Sequence, residues 1–149
     1  MRPLLAIGLL LLFPDCRVLG QKGQPGLPEI MQDTDLERRA MKAVDYSEIA
    51  VKQAQEQFQA GNREGLESAL ENVAGSAELA SKSLKDTGKR TKSLAGRYKR
   101  GELKFRAVLR QLDSLIKALN FADREKAESV RKRVQTVHEE FLQAVMRRN

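Results

Sequence analysis

The sequence predicts an all-α fold, an antiparallel four-helix bundle built from two helical hairpins, on three observations. All four prolines of the 149 residues (Pro3, Pro14, Pro25 and Pro28) precede residue 29, so nothing afterwards removes an amide donor or clashes inside a helix. The rest of the chain is rich in Ala, Leu, Glu, Lys, Gln and Arg, the residues that lose least on entering a helix. Apolar residues recur at spacings of three and four in four separate stretches, each a stripe on one helical face.

Ahead of the helices the chain reads as an export signal. Arg2 supplies a positive start, the ten residues from Leu4 to Phe13 are an apolar run, and Pro14 breaks it. That order is the pattern of a secretory signal peptide. Val18, Leu19 and Gly20 make cleavage before Gln21 the natural expectation. Ten residues in a helix span about half of a ~30 Å hydrocarbon core, too little for a stable anchor. Asp15 in front of Cys16 argues against lipidation. Residues 1–20 are thus expected to be a signal peptide, 21–32 a flexible leader and 33–149 one helical-bundle domain, exported to a periplasmic or extracellular compartment. Cleavage would take Cys16, the only cysteine, and with it any disulfide or thiolate chemistry.

The first long helix opens at Thr34-Asp35-Leu36-Glu37, a capping-box pattern, and runs to about Ala60 on Val44, Val51 and Phe58. Gly61 and Asn62 end it, glycine as the left-handed residue and asparagine as the next N-cap. The second helix starts at Arg63 and shows a seam of Leu66, Leu70, Val73, Ala77, Ala80 and Leu84, with Glu78 and Lys82 placed as an i,i+4 pair. So tight a connection makes the two helices an antiparallel hairpin.

Residues 85–101 are ambiguous because Gly88, Gly96 and Gly101 lie among closely spaced cations. Each glycine costs a helix about 1 kcal/mol relative to alanine, and like charges one turn apart repel. A loop or frayed helix is expected here. The alternative merges helices two and three into one long helix bearing Lys82, Lys85, Lys89 and Lys92 as a stripe. The third helix runs from about Glu102 to Leu119 on Phe105, Val108, Leu112 and Leu115, braced by Glu102/Arg106 and Asp113/Lys117. Asp123 is the expected N-cap of the fourth, with Phe121 packing just before it. That helix continues through Ala127, Val130, Val134, Val137, Phe141 and Val145 to about Met146. No internal repeat is evident. A seam of this kind also offers a surface to a second copy of the chain.

Catalytic chemistry finds little to work with. His138 is the only histidine, beside the core stripe, where an imidazole is ordinarily a packed boundary residue. Tetrahedral zinc cannot be assembled from one histidine without cysteine, and Gln135 stands where a Glu-x-x-His motif needs its carboxylate. The glycines have neither phosphate-loop spacing. The function expected is a non-enzymatic exported interaction or structural module with no cofactor. The alternative is a small exported haem- or cofactor-carrying four-helix bundle, with His138 as the weak ligand candidate opposite Met31 or Met41.

Charge gives the one functional pointer. The formal net charge is +7, and residues 21–149 retain +6 of it. Residues 33–80 carry ten acidic and five basic side chains, whereas 82–106 carries ten basic ones against Asp86 and Glu102. Such asymmetry suits an anionic partner: an anionic membrane surface, an envelope polymer or an acidic protein. The residues expected to make that contact are Lys82, Lys85, Lys89, Arg90, Lys92, Arg97, Lys99, Arg100 and Lys104. Nucleic acid is disfavoured, because Tyr98 is the sole aromatic among them and base stacking needs more.

Overall fold

The computed structural model describes residues 25–147; the expected signal peptide, its cleavage site and Cys16 lie outside them. The fold is all-helical: α1 (Leu27–Met31), α2 (Leu36–Gln59), α3 (Arg63–Asp86), a 3-10 turn (Thr91–Leu94), α4 (Ala95–Ala118) and α5 (Phe121–Met146). The two expected hairpins are α2–α3 and α4–α5.

Local signals held where the backbone itself demanded a residue type. Gly61 has φ 69°, and Asn62 caps α3 by accepting from the Gly65 amide at 3.1 Å. Other signals were misassigned. Asp35, not Thr34, caps α2 by accepting from the Arg38 amide, and Glu37 is thereby released for a tertiary role. Asn120, not Asp123, caps α5, its carbonyl oxygen accepting from the Asp123 amide while its side-chain amide donates to the Asp123 carboxylate. Starting α5 earlier turns Phe121 outward, and it is 85% exposed instead of packed. The leader shortens likewise: α1 forms with Pro28 in its first turn, where a missing amide costs nothing, and Ile30 is 2% exposed.

The chain alternates in direction, but its neighbours are not those of the simplest up-down-up-down square. α2 packs on α3 and α4, and α5 packs on α4 and α3, so the 87–94 connection crosses the diagonal. Like-directed helices therefore lie side by side. Glu37, Asp45 and Glu48 of α2 meet Arg97, Arg100 and Lys104 of α4 in register, and Arg63, Lys85 of α3 meet Asp123, Glu140 of α5 the same way.

The core has two textures. Between α2 and α3 it is made of small residues, Ala40, Ala43, Ser47, Ala50 and Ala54 against Ala69, Ala74, Ser76, Ala77 and Ala80, which allow close approach of the two axes. Ser47 and Ser76 satisfy their hydroxyls by donating to the carbonyls three residues earlier, so burial leaves neither hydroxyl unpaired. Between the hairpins it is bulky, with Leu70, Leu84, Phe105, Leu112 and Phe141 fully enclosed. The predicted seams are buried except at two helix ends: Phe58 near the end of α2 is only partly buried, and at the end of α5 Ala144 takes the place given to Val145.

The ambiguous junction is resolved against both a long loop and a merged helix. Only Thr87 to Arg90 leave helical geometry, with Gly88 at φ 64°. Gly96 and Gly101 are inside α4, whose start lies seven residues before the expected Glu102. Like-charge repulsion failed as an argument because α2 supplies the counter-charges, and Gly101 is kept for packing, since a Cβ there would meet the Phe141 ring at 2.3 Å.

Candidate functional site

The nine cations expected to form an anionic-partner site do not form one surface. α3 ends at Asp86, so the stripe Lys82, Lys85, Lys89, Lys92 does not exist as a helical row. Six of the nine are engaged within the fold: Lys82 with Asp86, Lys85 with Glu140, Lys89 and Arg97 with Glu37, Arg100 with Asp45, and Lys104 with Asp45 and Glu48. Two predicted helix braces are likewise replaced by tertiary pairs, Glu78 holding Arg133 and Asp113 holding Arg131. Three of the nine, Arg97, Arg100 and Lys104, form an electrostatic seam that docks α4 on α2.

Among the described residues Arg90, Lys92 and Lys99 remain without a carboxylate partner, and all three are exposed. Lys99 begins a row that the sequence reading missed. At 100° per residue, Lys99, Arg106, Arg110 and Lys117 fall within a sector of about 40° on the solvent side of α4, along roughly 27 Å of axis. All four are exposed. Leu103, 51% exposed, and Ser114 share this side, and no acidic residue lies in the sector. The nearest acids lie at its α5 edge: Glu102 pairs with Arg106 of the row and with His138, and Asp113 pairs with Arg131, so Lys99, Arg110 and Lys117 are the members left without a carboxylate among the described residues. The signal was present in the sequence, but it appears only when α4 is drawn from Ala95 instead of Glu102.

Beneath this row lies the most enclosed charged group of the α4–α5 interface. Glu102 is 5% exposed. Its Oε1 accepts from the Arg106 guanidinium and stands 3.1 Å from His138 Nε2. Burial pushes the Glu102 carboxyl up, but the hydrogen bonds from Arg106 and His138 outweigh it and hold the group below the usual carboxylate range. His138 is thus occupied as a partner of Glu102. It faces α4, whereas Met31 is on α1, which packs on α2 and α3, and Met41 is packed against the core. A groove of about 410 Å3 between α3 and α5 is lined by Glu78, Lys85, Arg133 and Glu140, whose charges pair with one another. No group of three or more potential metal ligands converges among the described residues, and no described helix is long and apolar enough to cross a membrane.

The ion pairs give the fold an acid limit. Lys89 and then Arg97 hold the Glu37 carboxyl below its ordinary value against some burial, and Glu140, raised by burial, is brought below its ordinary value by Lys85 and Ser81. A carboxylate whose folded pKa is depressed contributes stability that is present above its unfolded value, about 4.3 for glutamate, and is lost as pH falls through the folded value. Thermal midpoints at low salt should therefore be flat from pH 7 to about 5 and fall below about 4. A midpoint unchanged down to pH 3 would contradict the pairing.

No family of known proteins, no curated protein and no solved structure is similar enough to this chain to establish kinship.

Proposed function

We propose that this chain is a non-enzymatic, exported helical module that contacts an anionic partner along the outer face of α4. The observation that carries the reading is the row Lys99, Arg106, Arg110 and Lys117, four cations in one narrow sector with no acid among them. Elsewhere the fold spends its charge on itself, as Lys89, Arg100, Lys104 and Arg133 do. Arg106 shares Glu102, but Lys99, Arg110 and Lys117 have no carboxylate partner among the described residues, and a row with three such cations carries a positive potential, which attracts anions and is weakened by salt. Export rests on the N-terminal pattern of Arg2, the apolar run and Gly20.

Retention on a sulfonate resin tests the surface. Lys99→Gln, Arg110→Gln and Lys117→Gln combined should elute at clearly lower salt than a variant with the same net charge made by Lys52→Gln, Lys82→Gln and Lys126→Gln. Equal shifts in both would mean that only net charge matters, and the α4 face would lose its role. Export is tested by the mass of the protein recovered from outside the cytoplasm, expected to begin at Gln21. An intact Met1 would remove that premise.

A further inference from the structure

Resting on the α4 face as the contact surface, we infer that its partner is an extended acidic polysaccharide chain and not a bilayer. The argument is one of shape. The row is one helix wide. Its four cations lie seven, four and seven residues apart, or about 10, 6 and 10 Å along the axis, so a linear polymer with repeating carboxylate or sulfate groups can follow it. Arg110 offers an unpaired guanidinium whose planar fork matches such oxyanions, while the Arg106 fork is held by Glu102.

A flat anionic surface fits less well. On the α2 side the row is bordered by Asp45 and Glu48, already paired with Arg100 and Lys104. A bilayer pressed on α4 would also press on these carboxylates. Helices that lie in a membrane interface bring a broad apolar face, and here Leu103 is the one large apolar side chain exposed on α4. Single-stranded nucleic acid would want aromatic stacking partners along the groove, and the row holds none. Arg90 and Lys92, exposed just before α4, extend the cationic path toward its N-terminal end.

The test compares three probes on the chain from Gln21 onward: heparin oligosaccharides of increasing length, phosphatidylglycerol–phosphatidylcholine vesicles, and oligo-deoxythymidine. Heparin affinity should rise with length until the oligosaccharide spans the row and then level off. The slope of log affinity against log salt should flatten by roughly one per cation removed. The Lys99, Arg110 and Lys117 triple variant should weaken heparin binding by roughly a hundredfold, and the charge-matched control variant by much less. Far-UV circular dichroism confirms that both are folded, as exposed positions allow. Tighter binding to vesicles or to oligo-deoxythymidine, still lost in the triple variant, would keep the α4 face as a contact surface and overturn the polysaccharide. No binding to any probe, or equal loss in the control, would overturn both readings.

Discussion

Leu112→Asp and Leu70→Asp should each abolish the cooperative unfolding transition. Leu70 and Leu112 are at most 1% exposed, in the bulky layer between the hairpins. Removing the leucine packing costs roughly 2–5 kcal/mol, and leaving a buried ion unpaired costs several more. A domain of this size has about 5–15 kcal/mol in total. The sum takes most or all of it. Urea titration followed by far-UV circular dichroism should show a broad, non-cooperative loss of helix, or no folded baseline. A native-like midpoint in both variants would mean that the layer described between the hairpins is not the core.

Gly101→Ala should destabilise the protein by about 1–3 kcal/mol, the range for overpacking a well-filled site, although alanine is the better helix former by about 1 kcal/mol. The added methyl would stand 2.3 and 2.5 Å from Cε1 and Cδ1 of Phe141. That ring cannot swing aside, because it makes edge contacts with Tyr98 and Phe105 at centroid separations of 5.1 Å. Gly96→Ala is the matched comparison. Nothing lies within 4 Å of its added Cβ, so it should stabilise by up to about 1 kcal/mol. Denaturant midpoints of opposite sign are expected for two glycines five residues apart in the same helix. If both stabilise, the Gly101–Phe141 contact is looser than described. Phe141→Leu should then be tried in the Gly101→Ala background, where it should recover part of the loss, since the two sites share one space.

The difference between these glycines explains how far the sequence could be read. Propensity treats Gly96 and Gly101 alike, as helix breakers, and on that basis the start of α4 was placed at Glu102. Tertiary packing distinguishes them: one is tolerated on an open surface, the other is required where an aromatic ring meets a helix backbone. The same holds for charge. Glu37 looked like the second half of a capping box, and Lys89 and Arg97 looked like parts of a binding stripe. Fifty-two residues separate Glu37 from Lys89, and only the fold brings them together. The candidate site moved for that reason. Most of the predicted cations are answered by α2 and α5, and those left over continue along α4 to Arg110 and Lys117, beyond the basic segment.

The sequence by itself determined the helical class, the two hairpins, the Gly61–Asn62 turn and nearly all the buried seam. These depend on period, on glycine's freedom at positive φ and on capping, all local properties that a single chain segment displays. Only the tertiary structure decided which helices are neighbours, which glycines are structural and which cations are free. Ion pairing and close packing act between residues distant in sequence, and their partners are set by the diagonal crossing at residues 87–94, which no local pattern encodes.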